Sequence, residues 1–476
     1  MVSRLSTRGT LSAAVCLPRS APSLASFSSA HSSLSHRGST LDANLHILYA
    51  TGRGDASEVT LRSLLSDEQI ERRKMMQLEA AEDAAGEGEG AGVLSEFDAS
   101  TDPAPIVASH RLSRCGGINR LACLSDRVAV AATGAGECSM IEIANGPEAA
   151  PVGVLGGSSG GGFVSAAAQR RAHAATSASS SSLHLRVSHT FPALHTASTT
   201  SLAVQLASST PSIATCGEDG SLALLAPFTR QIVRRIPAAH SSALYTLCFG
   251  SVHTVHAGGM GGHISTWDLR EPTSAGGGAV TTGSGSFAGG AVSSSAFSSS
   301  PAKPSSVLVD PNAVSITSCC MHPTRSHLLA VGSSNGALSL FDLRSRATPI
   351  TSIQAQRSAI WDLGFVSWNP STLLAASEDG SLCCFDFGAG FEGTSGAAAA
   401  GDSYPTVFGA SAAAAAGDSY SNVFSSKAVE AGMKPSKITQ QPCAIRSISM
   451  DRDTRTLVAA TDAPYLLTCT LPAGRM

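Results

Sequence analysis

A repeated pattern of three short apolar runs separated by two turns constrains the fold of this chain more than any other feature. The clearest copy spans residues 359–387, where an Asn-Pro pair at 369–370 and a Glu-Asp-Gly turn at 378–380 separate the runs. Short apolar runs bounded by turn residues are typical of β-strands, and Asp-Gly supplies the positive φ of a tight hairpin turn. We therefore predict an antiparallel meander here.

The same pattern recurs along the chain. Further copies span 199–228, 243–269 and 313–343, weaker ones span 117–143 and 444–471, and the weakest spans 45–65. The turn glycines Gly220, Gly262, Gly336 and Gly380 follow the WD-repeat period of roughly 40 to 45 residues, except across a Gly/Ser stretch at 272–300. Seven four-stranded blades need about 280 to 300 residues. The predicted fold class is therefore all-β, a WD40-type β-propeller with seven blades.

Low-complexity segments divide the predicted propeller. We expect a single propeller over 41–476, with disordered insertions at about 69–105, 145–182, 270–305 and 388–437, because such segments cannot bury enough apolar surface to fold. Three of them begin after the third strand of a WD unit, following Ile143, Leu269 and Phe387, so they should leave from one face. Ordered partner contacts are then expected on the opposite face or at the blade edges.

The first forty residues have a distinct composition. They contain four arginines, many serines and no acidic residue before Asp42. We interpret 1–40 as a disordered basic leader. A transit peptide is the alternative, but prolines at 18 and 22 interrupt the amphipathic helix that import requires.

Charge and cysteine usage narrow the function classes. A net charge of -3 with scattered Lys and Arg argues against direct nucleic-acid binding. No run of 18 apolar residues predicts membrane insertion. The twelve cysteines contain no C-x-x-C spacing, which favours small buried side chains in a reducing compartment.

The residues that could carry chemistry have structural interpretations. In a WD unit the aromatic residue near the end of the third strand packs between blades, and the acidic residue after it ends the strand. An aspartate in a tight turn accepts hydrogen bonds from the backbone amides of its own turn. We assign these roles to Trp267, Asp268, Phe341, Asp342, Phe385, Asp386, Asp219 and Asp379. Histidines at 184, 189 and 195 and at 253, 256 and 263 lack compact metal-ligand spacing. No catalytic, cofactor-binding or metal-binding residue is predicted, and we expect no enzyme.

Two arginines admit a more specific interpretation. Trp267-Asp268-Leu269-Arg270 matches the W-D-x-R box of substrate receptors of cullin-RING ubiquitin ligases, and Arg344 completes a partial match. In that family the arginine contacts the ligase adaptor. The alternative, which we favour, is that the arginine simply lies at a solvated strand end.

In sequence, the chain resembles the forty-three-kilodalton WD-repeat nucleoporin family. The most specific segments are AIWDLGFVSWNPSTLLAASEDGSLCCFDF at 359–387 and the Thr-Asp-Ala stretch at 461–463. The resemblance implies a scaffold subunit of the outer-ring Y complex of the nuclear pore, docked on a helical-solenoid nucleoporin and supporting protein and mRNA transport. It also implies kinetochore association in animal members. The insertions and the basic leader depart from the family, so no partner-contact residue is carried over. The ligase alternative would allow a cytoplasmic location.

Overall fold

The computed structural model describes residues 2–7, 10–17, 45–52, 56–65, 75, 104–145, 183–208, 210–270, 303–344, 348–386 and 435–472. The insertions predicted above lie almost wholly outside these residues. Twenty-eight strands form seven antiparallel four-stranded sheets arranged in a ring, so the chain is a seven-bladed β-propeller. None of the described residues belongs to a helix of the length and hydropathy needed to cross a membrane.

The first three blades follow the chain from inner to outer strand. Blade 1 contains β2 (Leu11–Leu17), β3 (Leu45–Thr51), β4 (Ala56–Leu64) and β5 (Ile106–Ser113). Blade 2 contains β6 (Ile118–Cys123), β7 (Val128–Thr133), β8 (Cys138–Asn145) and β9 (Leu183–Phe191). Blade 3 contains β10 (Thr199–Gln205), β11 (Ser212–Gly217), β12 (Leu222–Ala226) and β13 (Gln231–Ile236).

The remaining blades repeat this order, and the last uses both ends of the chain. Blade 4 contains β14 (Leu244–Ser251), β15 (Thr254–Gly259), β16 (His263–Asp268) and β17 (Ser306–Val309). Blade 5 contains β18 (Ile316–Met321), β19 (Leu328–Ser333), β20 (Ala337–Asp342) and β21 (Thr351–Gln354). Blade 6 contains β22 (Ile360–Val366), β23 (Asn369–Ser377), β24 (Ser381–Asp386) and β25 (Pro435–Gln440). Blade 7 contains β26 (Ile445–Asp451), β27 (Thr456–Thr461), β28 (Tyr465–Thr470) and β1 (Val2–Ser6).

The first strand closes the ring and corrects the prediction for the leader. β1 pairs with β28 in antiparallel register, with Val2 opposite Cys469 and Leu5 opposite Leu466. β2 follows as the inner strand of blade 1, and most of its side chains are buried. The prediction of a disordered leader over 1–40 was therefore wrong for 2–6 and 11–17, and the propeller begins before residue 41. The prediction rested on the average composition of residues 1–40, which does not reveal the two short strand patterns within them.

All five long connections leave from one face of the ring. Neighbouring strands run in opposite directions, so first-to-second and third-to-fourth connections lie on one face, and second-to-third turns and blade-to-blade loops lie on the other. The connections 18–44, 65–105, 146–182, 269–305 and 387–434 are all of the first kind. We call this the insertion face, and the opposite one the tight-turn face. The sequence predicted three of these positions, and the structure adds those in blade 1.

Seven clusters of buried apolar side chains hold the ring together, one between each pair of neighbouring blades. Each blade covers the next, as expected for repeats that cannot bury their apolar faces alone. Between blades 7 and 1 the cluster includes Leu5 of the closing strand together with Tyr49 and Leu466. The N-terminal strand is thus part of the core.

Candidate functional site

The mouth of the central channel on the tight-turn face is a concave site lined by described residues. The inner strands begin here, and the cavity has a volume of about 560 Å³. Its lining includes the start of β6 at Asn119 and Arg120, the start of β22 at Trp361 and Asp362, and Arg446 of β26. All seven blades supply an inner-strand residue, so the site exists only in the closed ring.

An ion pair crosses the channel just below this mouth. Arg120 of blade 2 donates to Asp362 of blade 6 over 2.6 Å. Asp362 is almost fully buried and also accepts a 2.8 Å hydrogen bond from the amide of Ile448 in blade 7. Burial opposes the charge on Arg120, but the Asp362 carboxylate outweighs it and raises the pKa of Arg120. The bridge therefore stays charged and ties three blades across the opening.

A second arginine packs on an aromatic ring at the same mouth. The Arg446 guanidinium lies 4.7 Å from the centroid of the Trp361 ring and makes two hydrogen bonds, of 2.9 and 2.8 Å, to Asp462. The bidentate pair and the ring contact together fix the guanidinium in one orientation. Both arginines at the mouth are thus paired within the chain, which suits a rigid surface for a polar partner segment.

The predicted signature aromatics lie between blades. Trp267, Phe341 and Phe385 end the third strands of blades 4, 5 and 6, and each is buried in the cluster shared with the preceding blade. Asp268 and Asp342 lie at the insertion-face ends of those strands, where each pairs with the arginine two residues later. Asp386 occupies the same strand position in blade 6.

The two arginines of the W-D-x-R interpretation have the same geometry. Nε and Nη2 of Arg270 donate to the two carboxylate oxygens of Asp268 at 3.0 and 2.6 Å, and Arg344 repeats this with Asp342 at 3.1 and 2.8 Å. The Arg270 hydrogen bonds lower the pKa of Asp268 to about 2. The Arg270 side chain remains 67% exposed. Each arginine therefore has a local partner and an accessible surface.

Asp219 and Asp379 organise tight turns, and Asp219 reaches beyond its own. The amide of Ser221 donates to Asp219 at 3.0 Å, and the amide of Thr196 in the preceding loop donates at 2.7 Å. Burial opposes ionisation, but the bonds from Ser221 and Thr196 outweigh it and lower the pKa of Asp219 to about 2. Asp379 accepts from the amide of Ser381 at 2.8 Å.

Beneath the Asp219 turn is a buried histidine whose role the sequence did not reveal. His195 contacts the Ser221 hydroxyl through Nδ1 at 2.6 Å and the Thr215 hydroxyl through Nε2 at 2.9 Å. The Ser221 hydroxyl donates to Asp219, so Nδ1 carries the proton and Nε2 accepts from Thr215. Burial lowers the pKa of His195, which keeps the ring neutral. The one sequence feature that could have indicated this role is the position of the histidine, 24 residues before the turn aspartate.

The other histidines of the two sets are separated in the structure. His256 is buried, with Nδ1 2.9 Å from the hydroxyl of Thr266, while His263 is exposed. In the parts of the chain that the structure describes, no group of three or more His, Cys, Asp and Glu side chains is placed to hold a metal ion.

Comparison with known proteins finds sequence similarity over parts of the chain. No family model matches it. Nucleoporin Nup43 of Homo sapiens is 27% identical over 177 residues, which are 37% of this chain and 39% of that protein. Over that segment the chain is similar in sequence to this nucleoporin. Nup43 of Mus musculus matches to the same extent, and nuclear pore complex protein nup43 of Dictyostelium discoideum is 35% identical over 72 residues, 15% of this chain and 17% of that protein.

The similarity to Nup43 covers less than half of either chain. The matched segment spans about 39% of the length of the human and mouse relatives. A chain in the crystal structure of a mitotic checkpoint complex covers 90% of this chain at 10% identity with a TM-score of 0.49, too low to add to the assignment. The Nup43 relationship supports a nucleoporin-type WD-repeat scaffold.

Proposed function

We propose that this chain is a non-enzymatic scaffold subunit of the outer-ring Y complex of the nuclear pore. The observation that carries the proposal is its relationship to proteins named as nucleoporins on a closed seven-bladed ring. Its partners would be other nucleoporins, among them a helical-solenoid subunit, and its location the nuclear envelope. In this role it supports pore assembly and nucleocytoplasmic transport by shaping the outer ring of the nuclear pore.

The physical basis of the proposal is rigidity. Seven interblade clusters, the closing strand and the Arg120–Asp362 bridge resist deformation of the disc. A partner that binds such a pre-organised surface loses little free energy to ordering the protein. Both arginines of the channel mouth are paired with carboxylates of the chain, which favours contact with a partner over catalysis.

Affinity purification of the tagged full chain, with quantitative mass spectrometry, tests the proposal. We expect outer-ring nucleoporins in near-equal amounts to the chain. Arg270→Ala should leave that recovery unchanged, with Arg344→Ala as the matched control. A substrate receptor of a cullin-RING ligase, the competing function suggested by the exposed Arg270, predicts the opposite. The scaffold proposal would be overturned if cullin and its adaptor were recovered without nucleoporins and if Arg270→Ala abolished that recovery.

A further inference from the structure

Exposed large apolar side chains concentrate on two neighbouring blades. Among the described residues eleven such side chains are exposed, and three lie elsewhere, at Val2, Met75 and Ile106. The other eight lie on or beside blades 3 and 4: Leu206, Phe228, Ile232, Val233, Met260, Val307, Val309 and Val314. Exposed apolar side chains scattered singly need no explanation, but a concentration on one sector of a surface indicates an interaction site. Leu206 and Phe228 lie in insertion-face connections. We call the other six, Ile232, Val233, Met260, Val307, Val309 and Val314, the blade 3–4 rim.

A groove of about 380 Å³ lies on the blade 4 part of this rim. The loop 239–242 lines one side, and His263, Ser265 and Val307 of blade 4 line another. Met260 borders the groove and is 50% exposed. Its backbone is fixed by a bridge to Ser315 and by the bond from its amide to the carbonyl of Ala243 at 3.0 Å. The backbone is thus rigid while the methionine side chain can adapt to an apolar partner.

The rim carries uncompensated positive charge. Five cations belong to residues 227–270 and 303–315 of blades 3 and 4: Arg230, Arg234, Arg235, Arg270 and Lys303. The two carboxylates there already have partners, since Asp268 pairs with Arg270 and Asp310 accepts the hydroxyl of Ser339. Arg230, Arg235 and Lys303 are exposed. The partner that complements this surface is therefore acidic as well as apolar.

Strand geometry indicates how such a partner would dock. The register of β13 shifts between its contacts with Leu224 and Leu225, so that Val233 is skipped, and Arg234 and Arg235 lie directly after the shift. β17 has only four residues. Bulges, basic side chains and short length are the features that prevent strand addition at a sheet edge. A helix that inserts apolar side chains into the groove avoids this obstacle.

We propose that the blade 3–4 rim docks an acidic amphipathic helix of a partner subunit. The proposal rests on the scaffold function and names the chemistry of one contact. Six residues of β13 extend for about 20 Å at ~3.3 Å per residue. A helix of about 13 residues matches that length. Its apolar face would contact Met260 and Val307, and its Glu or Asp side chains would face Arg230 and Arg235.

A photo-crosslinking amino acid placed at Val307 of the tagged full chain identifies what binds at the blade 3–4 rim. The matched control is the same amino acid at Ile106, an exposed apolar position on the outer strand of blade 1. Mass spectrometry of the crosslinked peptide should show one partner sequence, negatively charged with apolar residues at helical spacing, from Val307 and not from Ile106. A basic or neutral peptide, a segment of this chain, or nucleic acid would overturn the proposal.

Reversing the charge of two rim arginines gives the second part of the crosslinking experiment. Arg230→Glu with Arg235→Glu should reduce the Val307 crosslink at least tenfold, whereas Arg111→Glu on the outer strand of blade 1 should leave it unchanged. Undiminished crosslinking in the double variant contradicts the proposal. If nucleoporins are recovered in full while Val307 captures nothing, the rim inference fails and the scaffold function stands. If Val307 captures an acidic helix from a protein outside the pore, only the pore assignment fails.

Discussion

Blades 3 and 6 carry nearly the same tight turn on different supports. Residues 217–221 read Gly-Glu-Asp-Gly-Ser and residues 377–381 read Ser-Glu-Asp-Gly-Ser. Both turns place the glycine after the aspartate at positive φ, +72° at Gly220 and +80° at Gly380. In both, the aspartate accepts from the amide two residues later. The backbone of the turn therefore follows from its local sequence.

The side chain beneath the turn differs between the two blades. Blade 3 has His195, bonded to the Thr215 hydroxyl, whereas blade 6 has Gln356, which donates to the backbone carbonyl of Ala375 at 3.0 Å. The space above also differs. A Cβ at Gly217 would lie 2.8 Å from both the His195 ring and the Asp219 carboxylate, so this position takes glycine where blade 6 has Ser377. The comparison shows that the residue beneath the turn and the first residue of the turn depend on each other, because their side chains compete for the same space.

The largest expected effect comes from removing the turn carboxylates. Asp219→Ala should lower the free energy of unfolding by about 3 kcal/mol, because two amides and two hydroxyls lose a charged acceptor close to a buried ring. Asp379→Ala should cost about 1 kcal/mol, since its carboxylate accepts from one amide at 2.8 Å. Urea unfolding of the two variants measures the difference. Equal losses would show that the His195 network adds nothing to blade 3.

Acid should weaken blade 3 more than blade 6. Burial lowers the pKa of His195 below its ordinary value, so the stability contributed by the neutral ring is present above pH 6.5 and is lost as pH falls toward the folded-state pKa. Burial also lowers the pKa of His256 and His322 to about 4, so the wild type should lose stability between pH 6.5 and 4. Gln356 does not titrate.

The measurement is the unfolding midpoint between pH 7 and pH 5. His195→Gln should reduce the change in unfolding free energy over this range by about 1 kcal/mol relative to the wild type. The exposed His263→Gln serves as the control and should follow the wild-type curve. A His195→Gln curve parallel to the wild type would contradict the neutral buried ring.

A double-mutant cycle tests the link between Gly217 and His195. Gly217→Ser should destabilise the wild type by about 2 kcal/mol, because the added Cβ lies too close to the ring, and should cost less in the His195→Gln background. We expect a coupling energy of about 1 kcal/mol from this double-mutant cycle. Ser377→Gly in blade 6 is the control, with a loss of under about 1 kcal/mol. A coupling energy near zero would mean that the turn, rather than the ring, excludes a side chain at 217.

Most blades could be predicted from the sequence because their signals are local. Turn glycines such as Gly336 and apolar runs such as Leu373–Ala376 report φ and burial from a few neighbouring residues. The weakest predicted repeat, 45–65, is confirmed as the two middle strands of blade 1. The channel bridge was not predictable, since Arg120 and Asp362 are 242 residues apart and no local pattern marks either one.

The sequence by itself determined the meander unit, its repetition and the turns that separate strands, because these depend on backbone sterics and short-range burial. Only the tertiary structure decided how the ring closes. The pairing of Val2–Ser6 with β28 joins the two ends of the chain, and its free energy comes from burial of Leu5 between blades 7 and 1. The same closed ring brings Arg120 of blade 2 to Asp362 of blade 6. Contacts of this kind depend on where distant segments meet, which a repeat pattern does not encode.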